Sequence, residues 1–215
     1  MKSFVSAIRS ASGLAILALA LGCSDGGANG PAPGVATIGF VPRALTNPYI
    51  SLQRAQVRLD RLQLIGNVPP PSGSNPPPNG NHPPPQDPPP QTAVDLDLST
   101  GSSATMENLQ QGLYSRVRFM LGRISLDGMA RGTLFHVSLA PFGTTVDVRA
   151  SQPQELGLDQ DISFQVGVDP NIWFPPYLFD GAMLDDRGQI VCDDVSNVQI
   201  SSTLIQTIAA SFSLP

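Results

Sequence analysis

The sequence predicts a mainly β protein, an antiparallel β-sandwich of transthyretin- or immunoglobulin-like type with one C-terminal helix. Two observations carry that expectation. From Val35 onward, apolar residues recur at every second position in several short runs separated by turn residues. Only the last segment changes to a helical period.

The runs follow in chain order. Between Ile50 and Ile65, Ala55, Val57 and Leu59 fall in one phase and Leu62 and Leu64 in the other. A one-residue bulge near Asp60 or Arg61 reconciles the two sets on one face, with a helix as the alternative. Val94, Leu96 and Leu98 alternate with Asp95 and Asp97, and Leu113, Val117, Phe119 and Leu121 alternate with Tyr114, Arg116 and Arg118. Those aspartates and arginines are expected to form a cross-strand ion ladder, which fixes register more than it adds stability. Phe135, Val137 and Leu139 follow, then Val146 and Val148, then Ile162, Phe164, Val166 and Val168. Gln111-Gly112, Asp127-Gly128, Phe142-Gly143 and Asp169-Pro170 read as the turns. Val198, Leu204, Ile205, Ile208, Ala209 and Phe212 fit one helical face, with Ser196 or Asn197 available as cap.

Residues 1–22 have the layout of an export signal. Lys2 and Arg9 precede an apolar run from Gly13 to Leu21 that is too short to span a bilayer as a helix. The run ends in Leu19-Ala20-Leu21-Gly22-Cys23, which resembles the bacterial lipobox. That resemblance implies cleavage before Cys23, a diacylglyceryl group on its thiol and a fatty acyl chain on its amine. Several such chains make release from a bilayer very slow, at roughly 0.8 kcal/mol per buried CH2. Ser24 follows the cysteine and Asp25 comes one later, so the retention pattern for the inner membrane is not met and the outer membrane is the expected location. Residues 23–34 read as a flexible tether and 35–215 as a single domain. Residues 69–91 interrupt that domain with twelve prolines in four triplets, which favour polyproline II and cannot donate to a sheet. They read as a tolerated loop expansion, with a PxxP ligand as the alternative.

The net charge is -5, and removal of Lys2 and Arg9 leaves ten basic residues against seventeen acids, or -7. That balance disfavours electrostatic binding to nucleic acid or to anionic lipid. Histidine is scarce: His82 lies in the proline insert, and His136 alternates with Phe135 and Val137 and so faces away from their core. No Walker loop, GxGxxG, HExxH or CxxC is present, so no enzymatic activity is expected. With Cys23 acylated, Cys192 is left without an intrachain partner and reads as a buried, inert thiol whose neighbours Asp193 and Asp194 raise its pKa. Acids crowd the region after position 158, and oxygen-rich loops suit calcium, although solvated turns use Asp in the same way. The alternative metal ligands are His136, Asp185 and Asp186. Trp173, Phe174, Tyr177 and Phe179 fall within eight residues. They either line a sugar or peptide groove or, the preferred reading, plug the edge of a small core.

Val94-Asp95-Leu96-Asp97-Leu98, followed by Leu109-Gln110-Gln111-Gly112-Leu113-Tyr114-Ser115-Arg116-Val117-Arg118-Phe119, resembles the VDLL…LPAGxYxxIRL core of an uncharacterised family of bacterial and archaeal envelope lipoproteins. The resemblance spans roughly residues 50 to 168 without the proline insert. It implies a transthyretin-like sandwich with no assigned activity. The segment from Val168 to Gly181 and the helix ending near Phe212 also resemble periplasmic copper-binding proteins of methanobactin gene clusters. In those proteins a histidine and an oxidised tryptophan bind copper, and neither ligand aligns residue by residue with His136 or Trp173. The expected function is therefore a non-catalytic, lipid-anchored envelope module that uses no cofactor and binds an envelope protein or glycan. A copper- or calcium-binding lipoprotein is the second reading.

Overall fold

The computed structural model describes residues 34–67, 93–157 and 160–215, all within one compact unit, Pro31–Pro215. The signal, the lipobox residues Leu19 to Gly22, Cys23 and the proline triplets lie outside the described residues. The chain forms strands β1 (Gly34–Pro42), β2 (Ile50–Asn67), β3 (Val94–Asp97), β4 (Ser102–Leu109), β5 (Gly112–Ala130), β6 (Thr133–Leu139), β7 (Thr145–Leu156), β8 (Ile162–Val168) and β9 (Ile190–Cys192), of which no period-two run marks β4 or β9. Helix α1 (Val198–Ala210) and a short strand β10 (Phe212–Ser213) close the chain. Among the described residues the protein is mainly β, with a single α-helix near the C-terminus.

Two sheets enclose one core. The first has the order β10-β8-β1-β4 and the second β3-β2-β5-β6-β9, with β7 also paired to β5. Both are mixed rather than antiparallel, because β1 runs parallel to β8 and β6 parallel to β9. These pairs join segments far apart in the chain, where no hairpin imposes direction and a period of two says nothing of it. Phe119 of β5 bridges the layers. Its ring meets Phe40 of β1 edge-on at 5.8 Å and Phe212 of β10 at 4.9 Å, an arrangement that contributes beyond the buried area alone.

The long strands β2 and β5 carry most of the second sheet, and their irregularities decide which side chains point inward. In β2, Asp60 faces Met120 and Gln63 faces Arg118, so Arg61 and Leu62 together oppose Phe119. Arg61 sits in the left-handed region at φ 54°. This bulge puts Ala55, Val57, Leu59, Leu62 and Leu64 into one core, as their spacing predicts. A second irregularity corrects the expected phase of β5. Tyr114 faces Gln154 while Arg116 faces Arg149, so four residues of β7 stand against Ser115 alone. The phase resets there: Tyr114 is only 2% exposed and Leu113 is 47% exposed. The buried Tyr114 hydroxyl donates to the Gln110 carbonyl at 2.7 Å, and burial pushes its pKa up.

Three further expectations are corrected. Asp127-Gly128 is not a turn but lies inside β5, where Gly128 faces Phe135. A Cβ on Gly128 would stand 2.2 Å from the Ser51 carbonyl oxygen and 2.9 Å from the Phe135 ring, so glycine serves close approach there. The ion ladder does not form, because β2 separates β3 from β5. Asp95 lies 4.0 Å from Arg58, Asp97 accepts from the Ser99 hydroxyl and amide, and Arg116 and Arg118 share Asp147. Finally, Phe212 is not helical: α1 ends at Ala210, and Phe212 pairs with Val168 across the sheet edge. Asn197 precedes the helix with φ 50° and makes no side-chain cap. Its carboxamide instead accepts from Met183 N–H at 2.8 Å and donates to the carbonyls of Met183 and Val191.

Candidate functional site

The β5–β6 hairpin turns on two residues, Arg131 and Gly132, both at positive φ (48° and 86°). That is the conformation a two-residue hairpin favours, and glycine adopts it without cost while arginine does not. Arg131 is held there by its surroundings. Its backbone N–H donates to the Tyr49 carbonyl at 2.9 Å. Its guanidinium lies 5.6 Å from the ring centres of both Tyr49 and Tyr177, and Nη1 donates to Asp180 at 2.9 Å. The two tyrosines remain 63% and 70% exposed. Tyr177 is itself left-handed, at φ 67°, so two of the strained non-glycine residues meet at one place, as at many ligand sites.

The three side chains border a cleft of about 170 Å³ whose apolar wall includes Phe174, Leu178, Phe179 and Ile190. Tyr49 and Arg131 also border a second concavity with Pro48 and Met129, so the pair forms a ridge between two hollows. Phe135 underpins the wall, stacking on Phe179 at 5.1 Å and meeting Phe174 at 6.0 Å.

Two loop arms carry the tyrosines, and Asn171 ties them together. Its Oδ1 accepts from the Thr46 amide at 2.7 Å and hydroxyl at 2.9 Å, and its Nδ2 donates to the Ala44 carbonyl at 3.0 Å. Asp169, ahead of the short 3-10 turn Pro170–Ile172, accepts from both the amide and the side chain of Asn171. Those bonds, led by the one from the Asn171 side chain, hold its carboxyl below the usual range.

The aromatic run thus divides. Phe174, Tyr177 and Phe179 border the cleft, whereas Trp173 is fully buried and does not. Its indole Nε1 meets no acceptor among the described residues. The run contributes both to the core and to the wall of a cleft, with Phe174 shared between them. The residues that complete the cleft, Tyr49 and Arg131, carry no motif in the sequence. Only an Arg-Gly pair between two alternating runs marks the hairpin that presents them.

The alternative metal ligands do not converge. His136 Nδ1 is bonded to Asp127 on the outer face of the second sheet. Asp185 accepts from the amides of Arg187 and Gln189 in its own turn, and Asp186 is exposed. Among the described residues no three His, Cys, Asp or Glu side chains come together. Asp169, Asp180, Asp185 and Asp193 serve local turns or ion pairs; Asp193 accepts from the amides of Val195 and Ser196, which lower its pKa, with the Ser196 amide the larger influence. Cys192 is buried in β9, and burial, aided by Asp193, pushes its pKa up to about 11. No helix among the described residues is long and apolar enough to cross a membrane. Searched against protein-family models, curated proteins and solved structures, the chain matches none.

Proposed function

We propose that this chain is a lipid-anchored protein of the bacterial outer membrane that binds, without catalysis, an envelope protein or glycan in the Tyr49–Arg131–Tyr177 cleft. The anchor rests on Leu19-Ala20-Leu21-Gly22-Cys23. The binding role rests on one observation: two exposed tyrosine rings are held in place by an arginine clamped between them. Aromatic rings fixed in this way offer contact area without further loss of side-chain freedom on binding, which is what recognition surfaces select. Asp180, Asn47 and the guanidinium supply polar groups at the rim.

Two experiments test the reading. Mass spectrometry of the native protein should find Cys23 acylated at the amino terminus, and the Cys23→Ser chain should leave the membrane fraction. Immobilised protein should retain a component of solubilised envelope that the Tyr49→Ala/Tyr177→Ala variant does not. Equal retention by the two proteins refutes the cleft as the site. Elemental analysis of the dialysed protein tests the second, metal-binding reading directly.

A further inference from the structure

Tyr49 and Arg131 stand between two hollows, one bordered also by Pro176 and Tyr177 and the other by Pro48 and Met129. Pro48, Tyr49, Pro176 and Tyr177 all face solvent. Exposed aromatic rings beside shallow hollows are the surface that polyproline II docks on, because that helix is already ordered and gives up little chain freedom when bound. The ridge carries a further group. Among the described residues the Arg131 side chain donates one hydrogen bond, from Nη1 to Asp180, whereas a guanidinium has five N–H groups. Both partners of that ion pair are half exposed, so the guanidinium can share itself with a second carboxylate.

The chain itself carries a segment with the matching chemistry. Of the gaps between the four proline triplets, only the one between Pro83-Pro84-Pro85 and Pro88-Pro89-Pro90 is two residues long. Pro85-Gln86-Asp87-Pro88 is therefore a PxxP sequence. With three residues per turn, polyproline II places two prolines at that spacing on one side of the helix, about 9 Å apart. Two prolines on one side suit two hollows. Asp87, the only acid between residues 69 and 91, falls between those prolines, as Arg131 falls between the hollows.

We infer that the cleft takes residues 83–90 of a second copy of this chain. The inference rests on the proposed reading of the cleft as a binding site and names its occupant. Reach sets the segment apart from the cleft of its own chain. Val94 pairs with Leu59, and Tyr49 lies ten residues before Leu59, about 33 Å away along an extended strand. Asp87 is seven residues from Val94, which spans about 22 Å in polyproline II and at most about 25 Å fully extended. A segment tied to β3 therefore stops about 8–11 Å short of Arg131, with its second triplet further back still. The same segment on another copy has no such tether.

The test uses residues 24–215, which contain the whole compact unit and carry no lipid. Sedimentation velocity should show association that grows with concentration. Pro85→Ala/Pro88→Ala, which removes the ligand, and Tyr49→Ala/Tyr177→Ala, which removes the rings, should each sediment as monomers and should associate again when mixed. The proline variant changes no described residue, so its cleft stays intact and should bind a labelled peptide of residues 81–92. Asp87→Asn in that peptide should weaken binding about 3-fold. A peptide of residues 69–80, which has two triplets but neither PxxP nor acid, should bind at least about 10-fold more weakly. A parent monomeric up to about 1 mM, a mixture of the two variants that stays monomeric, or equal binding of the two peptides would each overturn the inference. If peptide 81–92 stays unbound while the tyrosine pair still retains a component of solubilised envelope, this occupant is removed and the cleft stands as a binding site. If neither is bound, both fall.

Discussion

Arg131 is fastened to Tyr49 twice, by a 2.9 Å bond from its amide to the tyrosine carbonyl and by a guanidinium 5.6 Å from the ring centre. The first contact is made by the backbone and survives substitution of the side chain by alanine or glycine, and the second does not. Arg131→Ala should therefore lower stability by about 1–2 kcal/mol, from two cation–π contacts of roughly 0.5–1 kcal/mol each. Arg131→Gly should lose less, because glycine adopts the left-handed turn freely. Urea unfolding of the two variants checks the order. Stability equal to the parent in both would mean that the clamp does not fix the tyrosines.

Asn171 should matter to the cleft although it does not border it. Asn171→Ala removes the carboxamide bonds to Ala44, Thr46 and Asp169 and leaves the Thr46 amide without its acceptor. The expected loss is about 1–3 kcal/mol. A local effect is expected as well: amide exchange should accelerate at Thr46 and along the arm leading to Tyr49, while β1 and β8 stay protected. Uniform acceleration across both sheets would instead mean that Asn171 supports the global fold.

The bulge in β2 was legible because it leaves a phase change in the sequence, and a left-handed Arg61 is what that phase change costs. Arg61→Gly should be neutral or stabilising by up to about 1 kcal/mol, since it relieves the backbone at φ 54°. Deleting Arg61 should be ruinous. Register would slip by one residue, and either Leu62 and Leu64 or Ala55, Val57 and Leu59 would turn to solvent, at roughly 1.5–3 kcal/mol for each large side chain. Circular dichroism and thermal unfolding distinguish the two variants, and a folded deletion variant would show that the bulge does not set the register.

The same reasoning explains what the sequence hid. The β7 bulge contains Ala150, Ser151, Gln152 and Pro153, with no large apolar residue to reveal a shift of phase, so Tyr114 reads as outward and Leu113 as inward. Asp127-Gly128 carries turn chemistry, yet Gly128 is there to accommodate Phe135 and the Ser51 carbonyl. The aromatic run announced a cluster but not its division, because Trp173 and Tyr177 differ in burial through tertiary packing alone. Tyr49 and Arg131 were silent for a further reason: they are eighty-two positions apart and meet only because β2 and β5 pair from Ile50 and Ala130.

Three carboxylates among the described residues couple the fold to acid pH. Ser99 hydrogen bonds hold Asp97 below its ordinary pKa, Asn171 does so for Asp169, and the Ser196 and Val195 amides do so for Asp193. A lowered folded pKa means that the unfolded chain takes up protons first. The stabilisation is therefore complete above the unfolded value near 4 and is lost as pH falls through the folded values. Melting temperature should be level from neutral pH down to about 4 and then drop. Asp193→Asn should flatten part of that drop, and an unchanged acid limb would show that the Asp193 turn is not coupled to folding.

Cys192 titrates with the opposite consequence. Burial raises its pKa to about 11, so the folded state keeps the proton longer than the unfolded one. Its contribution is complete below the unfolded value, near 8.5 for a free thiol, and disappears as pH rises through the folded value. Ionisation and access oppose reactivity together, since β9 buries the sulfur and only the thiolate attacks. Residues 24–215 should therefore react with a thiol-specific disulfide reagent at pH 8 far more slowly than a free cysteine, and at the free rate once unfolded in urea. Cys192→Ser should abolish the reaction in urea and cost stability through an added buried hydroxyl, whereas Cys192→Ala should cost less. Fast labelling of the native protein would mean that β9 opens from β6 without global unfolding, and exchange rates at Val191 and Cys192 would then show the same local opening.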